Sequence, residues 1–535
     1  MATDSLSAKI KGLFKPVDLT KGEPWKVIVL FWVPIFLSYL FQQFYTLIDE
    51  LVVGHYLDAA YVAGIDDTNS LVFLILQFAF GCTAGFSVVS SAKMGEKDMD
   101  GVRRSFVTQM VLALVISVIL TAIAIPCIDP LLSVLGLNMT AQPDTYRAAK
   151  IFVTTIYAGL FTQVFYNLIC AFLRSLGDSL TPFLFLAGST LLSIGLDFLF
   201  VAGIGDAMPD FGLEGAGGVF GAALSVDISQ FVAAIGCILY ALKRYPFIRP
   251  KKADFHISWA FAWEHLKLGL PLAFQFSILA IGLILLQNNV LSFDLFSQNY
   301  YEETGQFYTF QGITFKGVVI DGKRNFVDAQ NAFGPSNKWE SFMETSQDAF
   351  GAAMLSYCSQ NRGARLYNRI KKGLNQSFVL MGILCVILFL IAMLTSINGA
   401  YLYMFLKADY VTEAVKYYGR FYFYCIAPCF WLLGLLFIVR SSVQGLGKSL
   451  FPLLAGIAEL VARTFASLAI PTLINATPLL GDAHYGWAFF SVGFASPMAW
   501  AFAALFPLGA LIYYVYMGKL EKQDNDRFGK TGQLL

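Results

Sequence analysis

Charge is what this 535-residue chain has least of. Only 14% of its residues are Asp, Glu, Lys or Arg, against 57% hydrophobic, and its mean hydropathy is +0.63. A water-soluble chain carries roughly a quarter charged residues, so lipid replaces water around most of this one. Histidine is scarce as well, with four residues at 55, 256, 265 and 484 that never cluster. The eight cysteines make no CxxC pair; Cys425 and Cys429, one helical turn apart, either pack or hold a metal. A metal centre or a Ser/His/Asp constellation therefore lacks its residues, and no cofactor is expected. No G-x-x-x-x-G-K loop is present, so ATP does not power this chain, and enzyme activity is not expected. A net charge of +1 leaves no nucleic-acid footprint. The polar, basic stretch up to Lys26 leads into an apolar run too long for a signal peptide, so no cleavable signal is expected.

What is present is a series of long apolar runs without period-2 alternation, which specifies membrane helices rather than a barrel. Each is long enough for a bilayer core that needs roughly 20 residues. Twelve spans are predicted, at about 26–53, 68–92, 105–127, 147–172, 180–203, 217–242, 264–295, 345–361, 374–397, 412–440, 450–474 and 487–517. With the N-terminus placed in the cytoplasm, 27 of the 37 Lys and Arg fall on the cytoplasmic side, and only Arg463 lies within a span. This bias predicts a multi-pass membrane protein with both termini cytoplasmic, and the expected location is the plasma (inner) membrane.

The two halves repeat one another. Arg174-Ser-Leu-Gly177-Asp-Ser179-Leu-Thr-Pro182 after the fourth span matches Gln444-Gly-Leu-Gly447-Lys-Ser449-Leu-Phe-Pro452 after the tenth, at a constant offset of 270. Ser91-Ala-Lys93-Met-Gly95-Glu-Lys97 likewise matches Ser359-Gln-Asn-Arg362-Gly363-Ala-Arg365, and Pro34 corresponds to Pro271. Six spans per half make the repeat parallel, with its axis along the membrane normal and a solute path between the halves. The expected organisation is an all-α integral membrane fold of 12 transmembrane helices in two pseudo-symmetric six-helix bundles. Residues 1–250 form the first lobe, 251–518 the second and 519–535 a cytoplasmic tail. Extra residues at about 296–344 read as an extracytoplasmic insertion, either a lid over the exit or a surface elaboration.

Particular stretches carry a family resemblance. Pro34-Ile35, Gln42-Gln43-Phe44-Tyr45 and Asp49-Glu-Leu-Val-Val-Gly54 resemble the first helix of multidrug and toxic compound extrusion transporters. Leu196-Asp197-Phe198-Leu-Phe200 with Gly212-Leu-Glu-Gly215 and Gly221-Ala-Ala is similar to that family's fifth and sixth helices. Ser359-Gln360-Asn361-Arg362-Gly363-Ala364, and Arg463 with Ile470-Pro471, are similar to its eighth and eleventh. The likeness spans nearly the whole chain outside the insertion and is closest to the prokaryotic branch of DNA-damage-inducible and MepA-type pumps. It implies a V-shaped pair of bundles around a central cavity, exporting organic cations or drugs in exchange for protons or sodium. A lipid or lipid-linked oligosaccharide flippase of the same architecture is the alternative. It normally needs a cationic cavity, whereas the acids in these spans favour cationic cargo.

Ionisable side chains inside a membrane cost roughly 2.5–3.5 kcal/mol each and need a purpose or a partner. The resemblance puts cation coupling at Asp49 and Asp197, although Asp49 could instead cap its helix. Ser193 stands where many members have Asn, and the sixth-helix hydroxyl is displaced to Ser225, followed by the unexpected acid Asp227. Asp227 either joins the site or pairs with a neighbouring helix. These departures tilt the coupling ion towards protons. Gln42, Tyr45, Tyr157, Gln163, Asn167, Gln275 and Gln287 are candidate cavity residues, because aromatic faces and amides hold flat cations; packing is the alternative for each aromatic. Glu459 and Arg463, four residues apart, share a helical face and form a structural or coupling pair. The expected partners are a cationic small molecule and membrane lipid, with a monomeric chain.

Overall fold

The computed structural model describes residues 16–140, 142–213, 215–320, 322–475 and 484–531. Lys9, Lys11 and Lys15, part of the basic bias above, lie outside the described residues. Within them the apolar runs form helices bounded by local chemistry. Proline at the first turn opens α1, Pro24–Tyr56. The left-handed Lys97 (φ 61°) closes α2, Ala59–Glu96. Asp98 accepts from the Gly101 N–H at 2.8 Å to cap α3, Met99–Ala124. Helix α4 is two pieces, Pro143–Ala158 and Leu160–Ser175, bent by 48° at Gly159. Helix α5, Leu180–Asp197, runs on as a π-helical turn, Phe198–Gly203, and α6 is Gly217–Arg244.

In the second half Ser258 caps α7, Trp259–Thr304, which ends on Gly305 in the left-handed conformation. Helix α8 is Asp328–Gly363 and α9 Tyr367–Ser396. Helix α10 runs from Glu413–Ile426 through a turn at Ala427–Cys429 into Phe430–Gly445. Helix α11, Leu450–Thr464, continues as a π turn, Phe465–Ala469, and Ile470–Asn475. Helix α12 is His484–Leu511 with Ile512–Tyr516, and α13, Lys519–Thr531, follows it. Among the described residues ten helices are long and apolar enough to cross a membrane, the bent α4 makes an eleventh, and the more polar α8 packs among them as a twelfth long helix. The chain is an all-α, multi-pass membrane fold. Exposed apolar stripes such as Val115, Val118 and Ile119 on α3, or Val379, Ile383 and Val386 on α9, are its lipid-facing surface.

Helix α8 corrects the reading from hydropathy. The segment expected as an insertion over 296–344 is mostly helix: α7 extends to Thr304 and α8 begins at Asp328. Within that segment the described residues outside helices are 305–320 and 322–327. They carry two antiparallel hairpins, Thr309–Phe310 with Ile313–Thr314 and Val318–Ile320 with Lys323–Asn325. The outer half of α8 is too polar to register as a span because its polar face is turned inside the protein.

The sequence repeat has a structural cause. Gly177 (φ 88°) and Gly447 (φ 69°) occupy equivalent loops in a backbone conformation that side chains resist. The two basic motifs form a pseudo-twofold clasp between α2 and α8. Ser91 Oγ donates to the Ser356 carbonyl at 3.3 Å, and Ser359 Oγ donates to the Val88 carbonyl at 2.8 Å. A Cβ on Gly95 would overlap the Gln360 carbonyl, and one on Gly363 would overlap that of Ala92. Beside this clasp α2 lies backbone-to-backbone on α7, where a Cβ on Gly85 would come 2.5 Å from Gly269 Cα. Gln360 Nε2 also donates to the Ser175 carbonyl at 2.8 Å. The halves are thus tied together at the end carrying the basic loops.

A buried polar network reinforces that end. His265 of α7 is fully buried; its Nδ1 lies 2.9 Å from the Phe261 carbonyl, which fixes Nδ1 as the donor and Nε2 as the acceptor. Nε2 lies 2.8 Å from Ser105 Oγ of α3, and Ser105 in turn bonds Ser90 and Gln109. His265→Phe leaves the buried Ser105 hydroxyl without its acceptor, so it is expected to cost about 1–3 kcal/mol and lower the melting temperature in detergent. An unchanged melting temperature would show that the network contributes nothing.

Helix α13 docks through Asp524, which takes Arg362 Nη2 at 2.8 Å and Nε at 3.1 Å, and the Tyr367 hydroxyl at 3.0 Å. Burial raises its carboxyl pKa, but Arg362 and Tyr367 outweigh burial and hold it below the usual aspartate range. The docking energy is therefore complete above the ordinary value of about 3.9 and is lost as pH falls through the lower docked value. The protection of the α13 amides, measured relative to their intrinsic exchange rate at each pH, should hold constant down to about pH 5 and fall only in stronger acid. In Asp524→Asn it should already be low at neutral pH; protection equal to wild type there would refute the docking role.

Candidate functional site

The helices enclose a central cavity of about 480 Å³ between the halves, within the usual range for small-molecule sites. Its walls come from α1, α2 and α4 on one side and α7, α8, α10, α11 and α12 on the other. The α2–α8 clasp lies towards the basic end.

Seven charged side chains line it: Glu340, Glu344 and Asp348 of α8, Glu459 and Arg463 of α11, Arg174 of α4 and Arg440 of α10. The three α8 acids recur every fourth residue and therefore form one stripe, about 6 Å apart along the axis. Glu340 accepts the Tyr422 hydroxyl at 2.5 Å. Glu459 pairs with Arg463 Nη2 at 2.9 Å and, more loosely, with Arg440 Nη1 at 3.8 Å. Arg174 Nη1 donates to the Tyr39 hydroxyl at 3.0 Å. The intrahelical pairing of Glu459 with Arg463 is as the sequence suggested. The α8 acids and the cavity positions of Arg174 and Arg440 were not anticipated. Two of those acids fell in the supposed insertion, and both arginines were counted on the cytoplasmic side. Among charged residues in the spans, Arg463 is therefore not the sole base, which corrects the picture of a cavity lined almost wholly by acids.

A second polar site lies within the first half. Tyr45 and Asp49 of α1, Ser193 and Asp197 of α5, Gln163 of α4 and Ser225 and Asp227 of α6 converge there. Asp197 is fully buried and accepts a hydrogen bond from Ser225 Oγ. The displaced sixth-helix hydroxyl thus still reaches the acid. Asp49 lies within electrostatic reach of Asp197, and Asp227 packs against Cα of Gly159 at the bend of α4, where only glycine leaves room. Tyr45 Oη, Asp49 Oδ1, Ser193 Oγ, Asp197 Oδ2, Asp227 Oδ1 and Gln163 Nε2 are buried without a protein partner. The five oxygens among them can serve as ligands or proton acceptors for a small cation, while the Gln163 amide nitrogen can only donate.

The expected cavity residues divide. Gln42 and Asn167 line the cavity. Tyr45 and Gln163 belong to the acid cluster instead. Tyr157 is fully buried, donating to the Leu71 carbonyl at 3.0 Å, and is a packing residue. Gln275 is also fully buried, against Gly456 of α11, and Gln287 is exposed; neither lines the cavity. Hydropathy and residue type locate a helix but not the direction in which a side chain points.

Comparison with known proteins agrees with this fold. The MatE family model matches residues 34–199 and 346–467, parts of both halves. The chain is 28% identical over 286 residues to a protein of Bacillus subtilis named probable multidrug resistance protein YpnP, covering 52% of this chain and 59% of that one. It is 23% identical over 377 residues to probable multidrug resistance protein YoeA of the same organism, covering 69% and 72%. A crystal structure of MATE in the straight conformation superposes with a TM-score of 0.74 at 19% identity over 95% of this chain and 99% of that one. A MOP-superfamily transporter from Pyrococcus furiosus gives 0.73 at 18% identity over 94% and 98%. With a family model matched across more than half its length, the chain belongs to the MatE family and is a multi-pass membrane transporter rather than an enzyme.

Proposed function

We propose that the chain is a secondary antiporter that exports small organic molecules bearing a cationic group, in exchange for protons or sodium, by alternating access. The observation that carries this reading is the division of labour on α1. Tyr39, Gln42 and Gln43 line the cavity, and the next turns deliver Tyr45 and Asp49 to the acid cluster. A cation bound among Asp49, Asp197 and Asp227 removes the repulsion between carboxylates in a low-dielectric bundle. Its arrival or departure therefore biases the position of α1, and with it the cavity wall, between two arrangements. Protons are favoured over sodium because Asp227 adds a third titratable carboxylate to Asp49 and Asp197.

Glu340 and Glu344 supply the negative surface for the cargo's cationic group. Relatives named multidrug resistance proteins support a drug-like cargo, and the flippase alternative is not favoured. The basic end faces the cytoplasm of an inner, plasma membrane, which places both termini inside. The chain acts as a monomer in lipid with no cofactor beyond its coupling ion.

The test is reconstitution into sealed vesicles with a fluorescent organic cation, imposing a proton gradient or a sodium gradient separately. Accumulation driven by the proton gradient is expected. Equal movement with and without either gradient would end the antiporter reading.

A further inference from the structure

The cavity's charges are not mixed at random. Asp348 lies in the field of two guanidiniums, Arg440 and Arg174. Glu344, one turn towards the hairpin end, lies with Glu340 and Glu459 around the single guanidinium of Arg463. Two guanidiniums thus lie around Asp348, while Glu344 and Glu340, about 6 and 12 Å away along α8, gather with Glu459 of α11 around Arg463, and Arg440 bridges the two levels through Glu459. Arg440 reaches Glu459 only at 3.8 Å, so the second level keeps an excess of negative charge. Donors also remain available at both levels. Gln444 is only 4% exposed, lines the cavity beside Arg440, and its Nε2 has no protein partner; Arg463 Nε, 5% exposed, has none either. A buried donor left unpaired in a roomy cavity is a recognition element for an acceptor on a ligand.

A simple organic cation would satisfy the Glu340–Glu344 pole and leave the Arg174–Arg440 pole unanswered. We propose that this cavity selects bipolar substrates, carrying a cationic nitrogen and a carboxylate or comparable anion, over monopolar cations. The cationic end lies against Glu340 and Glu344, and the anionic end between Arg174, Arg440 and the Gln444 amide. Arg174 and Arg440 come from different halves, so the anionic end bridges the two bundles. This rests on the transport reading above and names the substrate class of the same cavity.

The test uses rhodamine B, which carries a free carboxylate, its ethyl ester, which has the same fluorophore and only the positive charge, and fluorescein as an anion. Binding to purified full-length protein is read by fluorescence polarisation, without a gradient. Rhodamine B is expected to bind about tenfold tighter than its ester, and fluorescein weakest. Arg174→Gln should bring rhodamine B down to the ester's affinity or below it, while the ester, relieved of a nearby positive charge, binds no more weakly than to wild type. Equal or tighter binding of the ester to wild type, failure of both dyes to bind, or equal weakening of both dyes by Arg174→Gln overturns the proposal. Should Arg174→Gln not fold, the wild-type comparison decides alone. Gradient-driven transport of the ester without a preference for rhodamine B would defeat bipolar selection and leave antiport standing. A clear preference without gradient-driven movement would do the reverse.

Discussion

Asp197→Asn is expected to uncouple transport, lowering gradient-driven flux on the order of a hundredfold while leaving cargo binding unchanged. The amide keeps the size of the side chain and can still hydrogen-bond to Ser225, so the bundle around it has no reason to repack. What it removes is the charge that a coupling cation neutralises. Coupling free energies between two sites are typically about 1–3 kcal/mol, which corresponds to 5–150-fold; a fully buried acid at the centre of the cluster belongs at the upper end. Asp49→Asn should fall short of this, because Asp49 is only partly buried. Dye accumulation in vesicles, compared with dye binding in detergent, separates the two effects. Wild-type accumulation by Asp197→Asn would remove the acid from the mechanism, and loss of binding together with flux would give it a structural role instead.

Gly95→Leu should force the α2–α8 clasp open. The added side chain meets the Gln360 backbone carbonyl, which cannot rotate out of the way as a side-chain tip would. Overpacking of this kind costs about 1–3 kcal/mol or more, enough to shift the balance between closed and open arrangements by one to two orders of magnitude. Gly363→Leu, its pseudo-symmetric counterpart against Ala92, should do the same. The readout is maleimide labelling of S356C, a cavity position beside the clasp, from the basic end. Labelling should rise in both glycine variants above that of S356C alone. Labelling unchanged from S356C alone would mean that the clasp does not seal the cavity.

Much of this architecture was readable from the residues, and the parts that were not share a cause. Eleven of the twelve spans are apolar enough to declare themselves, and the offset of 270 joined Gly177 to Gly447 before their shared left-handed backbone was known. The same repeat places π turns at equivalent ends of α5 and α11, which hydropathy does not register. Helix α8 was half lost because a window average counts polar residues as loop even when they face an internal cavity. The better signal was periodic: Glu340, Glu344 and Asp348 at intervals of four specify one helical face, whatever their polarity. Gly334-Pro335-Ser336-Asn337 has the composition of a turn, yet it lies within α8. In the acid cluster, Asp49, Asp197, Ser193 and Asp227 were all named from motif position. Their convergence, and the role of Gly159 in making room for Asp227, depend on a helix bend that no local pattern announces.

The central claim is that cargo and ion exchange across the membrane, and the most direct measurement is counterflow. Vesicles containing the protein and a trapped pH indicator, with no gradient imposed, receive the cationic dye on one side only. Dye entering down its own gradient should drive protons out, so the interior becomes alkaline, and Asp197→Asn should abolish the pH change. Dye entry at the wild-type rate with no proton or sodium moving the other way would contradict the account.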